Sequence, residues 1–296
     1  MVMSEPQKLV SWSLDRRTFL TASATALALA ACGGGGPQPN GLGVQFPDGF
    51  RSPSIFVTGH GPQRFPFLVI ADDGFPMTTN APAEIVMEVV FEGNVIETQT
   101  VPGRGIGQFT PHYPLVFTPE QPGEYAARTE FGEFDVPFAV VNRGDTTLFQ
   151  VGDPIPAFRT PTFDDPAGVT TVCTRSEEPC PFHEITLEEA ISNDLPTLML
   201  IATPAFCQTN VCGPNVEWLI ELAEGRDDLN VIHHEVYEDF LGDTNSGGLP
   251  TRAPMLEEWD ISFEPSLFAL DASGTITNAL HLAFDRDEME ELISAI

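Results

Sequence analysis

A five-residue apolar run, Leu198 to Ala202, constrains the fold of this chain more than any other feature. The run lies between Pro196 and Pro204 and contains no polar residue. A strand without a polar face must be covered on both sides. The run therefore predicts a central strand in a sheet that carries helices on both faces.

Strands and helices alternate around this run. The capping-box sequence Thr186-Leu-Glu-Glu189 predicts a short helix before it, and Pro214 predicts the start of a helix after it. The other expected elements are a strand over 229–236, a short helix over 255–259, a hairpin of strands over 266–270 and 275–282, and a final helix capped by Asp285. This order is typical of an α/β domain, which we expect over residues 150–296.

Residues 44–142 show strands and turns without a helical period. Two β-rich segments over 85–91 and 95–101 flank Glu92-Gly93-Asn94, which predicts a hairpin. Tyr125 follows a Pro-Gly turn and is similar to the tyrosine corner of immunoglobulin-like domains. We expect an all-β immunoglobulin-like sandwich here, acting as a spacer or a partner-binding module.

The N-terminal segment is typical of an export signal. Arg16-Arg17-Thr-Phe-Leu20 precedes a short, Ala-rich apolar run and resembles a twin-arginine signal. Leu29-Ala-Ala-Cys32 resembles a lipobox, which implies cleavage before Cys32 and a lipid on its thiol. We expect a signal peptide over 1–31, a Gly-rich tether over 32–43, and a lipid-anchored protein on the extracytoplasmic face of the cell membrane. The alternative is an ordinary secretory peptide with an incidental Cys32.

The charge balance excludes one class of partner. With 13 Lys and Arg against 43 Asp and Glu, the net charge is −30. Such a surface repels polyphosphates, so we expect no nucleic-acid partner.

Four cysteines remain after Cys32: Cys173, Cys180, Cys207 and Cys212. Close pairs outside the cytoplasm tend to oxidise, so the spacing favours disulfides Cys173–Cys180 and Cys207–Cys212, although four cysteines allow three pairings. We interpret Cys173–Cys180 as a structural loop disulfide. Cys180-Pro-Phe-His183 lacks a second matching pair of ligands, so no metal site is expected there.

The α/β half resembles the thioredoxin-like superfamily. The resemblance rests on Phe206-Cys207 and Cys212-Gly-Pro214 after the central strand, on Phe263-Glu-Pro-Ser266, and on Gly152 to Phe158 at entry. It implies a thioredoxin-like fold over 150–296 and thiol–disulfide chemistry at Cys207 and Cys212, without a cofactor. Redox members of the family have two residues between the cysteines, whereas this chain has four.

Two assignments of the attacking thiol compete, and we favour Cys212 as the more acidic thiol with Cys207 as its partner. The order of the family motif favours Cys207, because it follows an aromatic residue. A helix that starts near Pro214 favours Cys212, because the unpaired N–H groups at a helix N-terminus stabilise a thiolate. A third interpretation is a permanent structural disulfide.

Pro265 resembles the family's cis-proline, and this resemblance implies that Glu264 faces the cysteines. An anionic Glu264 would disfavour a neighbouring thiolate, whereas a protonated one could donate a proton. The alternative is a solvated glutamate at a strand start.

The leading functional hypothesis is a membrane-tethered thiol–disulfide oxidoreductase that acts on the thiols or disulfides of exported proteins. A second hypothesis is a Cu(I) carrier with Cys207 and Cys212 as ligands, since soft thiolates select Cu(I). Its histidine would come from His233-His234, of which strand alternation points only one toward a common face. The third hypothesis is a non-catalytic adaptor with structural disulfides.

Overall fold

The structure, a computed structural model, describes residues 36–44, 55–108, 110–132, 135–205, 211–239, 251–261 and 263–296. The predicted signal peptide, Cys32 and Cys207 lie outside these ranges. Residues Pro37–Ile296 form one compact unit. Among the described residues, no helix is long and apolar enough to cross a membrane.

The first half of the described chain consists of strands. They are β1 (Pro39–Val44), β2 (Phe56–Val57), β3 (Gln63–Ala71), β4 (Glu84–Phe91), β5 (Asn94–Pro102), β6 (Tyr113–Phe117), β7 (Gly123–Thr129) and β8 (Val136–Val141). Within the described part of this half they form two sheets, ordered β1-β3-β6 and β2-β8-β7-β4-β5. The predicted hairpin is confirmed as β4 and β5, joined at Glu92-Gly93, where both residues have positive φ.

One hydrophobic core lies between these two sheets. Alternating residues of both sheets supply it, and five phenylalanine rings of the core contact one another: Phe56, Phe65, Phe67, Phe117 and Phe138. Tyr125 donates its hydroxyl hydrogen bond back to the Gln121 carbonyl at 2.9 Å. The half is thus all-β, while an immunoglobulin-like topology stays a prediction.

The predicted tether is too long at its C-terminal end. Pro39–Val44 pairs antiparallel with β3 as strand β1. Leu42 is buried in the core of the β half, so burial of its apolar side chain adds to the strand pairing with β3.

The second half alternates strands and helices as expected. Its elements are α1 (Leu187–Ala190), β9 (Thr197–Ile201), α2 (Cys212–Ala223), β10 (Asn230–His234), β11 (Tyr237–Asp239), β12 (Thr251–Arg252), α3 (Pro254–Glu258), β13 (Ser266–Leu270), β14 (Ile276–His281) and α4 (Arg286–Ile293). A 3₁₀ turn, Arg143–Asp145, precedes them. The capping boxes of α1 and α4 form at Thr186 and Asp285. The β11–β12 ribbon was not anticipated.

The sheet of the second half has the strand order β10-β9-β13-β14. Strands β9 and β10 are parallel, whereas β13 runs antiparallel to both β9 and β14. Every residue of β9 is buried, and separate apolar clusters cover the two faces of the sheet. The sequence expectation for the apolar run is therefore confirmed.

A buried ion cluster joins the two halves. Glu288 in α4 contacts Arg64 of β3 at 2.8 Å and His112 at 2.8 Å. The Gly105 amide donates to Asp285, the cap of α4, at 2.8 Å. Burial raises the pKa of Glu288, but the hydrogen bond from His112 and the charge of Arg64 outweigh it and hold the pKa at about 2.

The segment before β13 also reaches into the first half. Phe263 is 4% exposed and belongs to the core of the β half, together with Leu282 at the end of β14. The Leu282 amide donates to the Pro265 carbonyl at 2.8 Å. The loop that carries Glu264 is thus fixed in the core of the β half.

Candidate functional site

Cys212 is the first residue of α2, the helix that follows the central strand β9 in the chain. Its side chain is fully buried. Cys212 is disulfide-bonded, whereas Cys173 and Cys180 are both free. Since Cys207 lies outside the described residues, the predicted Cys207–Cys212 pair stays a prediction.

Glu264 lies against this sulfur. The Glu264–Pro265 peptide is cis, as the sequence resemblance implies. Oxygen Oε2 of Glu264 is 3.5 Å from Cys212 Sγ and accepts a hydrogen bond from the Thr203 amide at 2.6 Å. Since Glu264 is only 9% exposed, the alternative of a solvated glutamate does not hold.

Burial sets the protonation of Glu264. It raises the pKa of this carboxyl to about 7, against the opposing effect of the Thr203 amide, and the nearby Glu235 carboxylate raises it further. A carboxyl with this pKa is present in both protonation states near neutral pH. It can therefore give a proton to a sulfur beside it or accept one from it.

The chain segment that leads out of β9 is held on two sides. The Thr203 hydroxyl accepts from the Val236 amide at 2.7 Å. Two residues later, the Ala205 amide donates to the Thr174 hydroxyl at 3.1 Å. Thr174 in turn donates to the buried Glu235 through its amide at 2.6 Å and its hydroxyl at 3.1 Å. These bonds fix residues 203–205, which follow β9.

Next to this segment, two cysteine and two histidine side chains lie close together. The ligand-type atoms of Cys173, Cys180, His183 and His233 all lie within 4.8 Å of one another. His233 Nδ1 is 3.3 Å from Cys180 Sγ, 3.9 Å from Cys173 Sγ and 3.2 Å from His183 Nε2. We call these four residues the Cys–His cluster.

The predicted Cys173–Cys180 disulfide is not formed, which corrects the sequence interpretation. Both thiols are free, and Cys173 Sγ accepts a hydrogen bond from the Cys180 amide at 3.3 Å. Hydrogen bonds from Cys180, His183 and His233 outweigh burial and lower the pKa of Cys173. The ring of His233 lies against both sulfurs and gives each of them a polar partner.

The expectation of no metal site at Cys180 and His183 overlooked two of the four residues. Cys173 lies seven residues before Cys180, and His233 comes from the next strand. One signal was available: His233-His234 falls in a strand directly after an apolar core segment, where a polar pair needs partners. Both histidines are buried, and only His233 faces the cluster, while His234 Nδ1 bonds to the Glu235 carbonyl at 2.6 Å.

Comparisons with known proteins concern one half of the chain. No protein-family model matches it, and no curated protein does. A thiol:disulfide interchange protein of the thioredoxin family from Chlorobium tepidum TLS is similar over 50% of this chain and 97% of its own, with 12% identity and a TM-score of 0.33. A thiol peroxidase from Chromobacterium violaceum is similar over 50% of this chain and 88% of its own, with 14% identity and a TM-score of 0.32.

Proposed function

We propose that this protein is a thiol–disulfide oxidoreductase that uses Cys207 and Cys212 and acts on exported proteins while anchored to the membrane by a lipid on Cys32. The observation that carries the proposal is the contact between a disulfide-bonded Cys212 and the buried Glu264 carboxyl at 3.5 Å. A purely structural disulfide has no need of a titratable group beside one sulfur.

The burial of Cys212 decides its role in the proposed reaction. A thiol that is fully buried beside a carboxyl is not reached by a protein substrate, and both features disfavour its thiolate. We therefore assign Cys212 as the resolving thiol and Cys207 as the thiol that forms the mixed disulfide. This assignment reverses the helix-terminus argument and agrees with the order of the family motif.

The exchange needs no further reactant. A substrate thiolate attacks the Cys207 sulfur, the Cys207–Cys212 bond breaks, and the electron pair leaves on Cys212. Protonated Glu264 gives its proton to that leaving thiolate. A second substrate thiolate then attacks the mixed disulfide at the substrate sulfur, which releases an oxidised substrate and leaves two electrons on the protein dithiol. The reverse sequence reduces a substrate disulfide.

The test compares the two single-cysteine variants with a dithiol peptide and with glutathione. Cys212→Ser should accumulate mixed disulfides through Cys207, because no resolving thiol remains. Cys207→Ser should lose exchange, because the remaining Cys212 is buried. Wild-type exchange rates in both variants, or no exchange by the wild-type protein, would refute the proposal.

A further inference from the structure

The Cys–His cluster is built by segments that are far apart in the sequence. Cys173 and Cys180 lie in the loop before α1, and His183 follows three residues later. His233 belongs to β10, a strand with β9 on one side only. The His233 amide donates to the Phe182 carbonyl at 3.1 Å, so the loop runs along the open edge of this strand.

The distances within the cluster match those of a tetrahedral metal site. With Zn–N of about 2.0 Å and Zn–S of about 2.3 Å, two nitrogen ligands are about 3.3 Å apart and a nitrogen and a sulfur about 3.5 Å. The two ring nitrogens are 3.2 Å apart, and His233 Nδ1 lies 3.3 and 3.9 Å from the sulfurs. Three of the distances between ligand atoms are thus close to tetrahedral values, and all four ligand atoms lie within 4.8 Å of one another.

Hydrogen bonds with neighbouring backbone groups orient two residues of the Cys–His cluster, His233 and Cys173. His233 Nε2 lies 2.8 Å from the Ala202 carbonyl, which can only accept, so Nε2 carries the proton and Nδ1 presents its lone pair to the cluster. Metal-bound histidines are typically held in this way. The Cys180 amide that donates to Cys173 Sγ likewise favours the thiolate that a metal requires.

Charge and burial select the ion. Two thiolates and two neutral imidazoles carry two negative charges, which a divalent cation neutralises, whereas Cu(I) leaves one net negative charge in a buried site. The four ligand residues are between 0 and 9% exposed. A closed site with two sulfur and two nitrogen ligands is typical of structural zinc.

We propose that Cys173, Cys180, His183 and His233 bind one Zn²⁺ in a closed tetrahedral site that fastens the 173–183 loop to β10. The site is separate from Cys212 and does not depend on the proposed oxidoreductase activity. The site has an effect on a second segment through Thr174, the residue after Cys173, because the Thr174 hydroxyl accepts a hydrogen bond from the Ala205 amide. Zinc thus also steadies the segment before Cys207.

The test measures metal content and the spectrum of the cobalt-substituted protein. The full chain, purified under reducing conditions, should hold one zinc per molecule, and Co²⁺ should give the absorption of a tetrahedral site with thiolate ligands. Bound zinc should fall by more than about tenfold in Cys180→Ser and His233→Gln. The matched controls Cys212→Ser and His234→Gln should keep the metal. Retention in Cys212→Ser separates this site from the proposed redox pair.

Three outcomes would overturn the zinc site. The first is that the reduced wild-type protein takes up neither zinc nor cobalt. The second is a Cys173–Cys180 disulfide in the protein as isolated. The third is stoichiometric Cu(I) binding without zinc binding. If the ligand variants do not fold, the cobalt spectrum of the wild-type protein decides, because two thiolate and two imidazole ligands give a charge-transfer intensity that neither oxygen ligands nor a disulfide reproduce.

Discussion

Replacing Glu264 by glutamine should change how the stability of the protein depends on pH. Burial raises the pKa of Glu264 from its ordinary value of 4.5 to about 7 in the folded protein. The folded state therefore binds this proton more tightly than the unfolded state does. Stability from this group is fully present below pH 4.5 and is lost as the pH rises through 7.

The size of the effect follows from the two pKa values. At about 1.4 kcal/mol for each tenfold change in proton affinity, the wild-type protein loses about 3 kcal/mol across this window because of Glu264. Glu264→Gln has no proton to lose, and its amide oxygen can still accept from the Thr203 amide. The variant should therefore gain about 3 kcal/mol relative to the wild-type protein between pH 4.5 and 7.5.

Urea unfolding of the oxidised proteins at constant ionic strength measures this difference. Other buried groups titrate in the same range, notably His234, whose pKa burial lowers to about 4. The contribution of His234 cancels when the variant is compared with the wild-type protein at each pH, because Glu264 does not affect the pKa of His234. Glu130→Gln, at an exposed position, is the matched control and should show no such trend. A difference between Glu264→Gln and wild type that stays constant with pH would refute the reasoning.

The remaining predictions concern the ion cluster, the core and the anchor. Glu288→Gln should cost about 3 kcal/mol or more at pH 7, because it leaves Arg64 buried without its carboxylate. The pKa of Glu288 is held at about 2, so this cost should shrink as the pH falls from 4.5 toward 2. Urea unfolding across that range measures the cost, and a cost that stays constant with pH would contradict the ion pair. Leu200→Ala should lower the free energy of unfolding by about 2–5 kcal/mol, because the side chain is fully buried in the central strand; a loss below 1 kcal/mol would argue against this packing. Cys32→Ser should release the protein from membranes, as measured by fractionation, and unchanged membrane association would refute the lipid anchor.

The elements of the α/β half were predictable because each depends on neighbouring residues. The apolar run of β9, the caps at Thr186 and Asp285 and the turn after β13 are local signals, and all were found. The cis peptide at Pro265 was implied by family resemblance and not by any local pattern.

The Cys–His cluster was not predictable in the same way. Only Cys180 and His183 are spaced as metal ligands usually are, and the sequence does not reveal that β10 brings His233 to them. The role of His112 was missed for the same reason: its partner Glu288 lies 176 residues away. Spacing in the sequence does not show which residues far apart in the chain come into contact.

The position of Phe263 has a consequence for what the first half of the protein contributes. Its ring is part of the phenylalanine-rich core of the β half, while the next residue carries the carboxyl that touches Cys212. The position of Glu264 beside Cys212 in one half therefore depends on packing in the interior of the other. A shorter protein made of residues 150–296 alone would expose this ring and free the backbone that carries Glu264. If this α/β half were joined to a different β domain, Glu264 would keep its position only if that domain provided a pocket for the Phe263 ring.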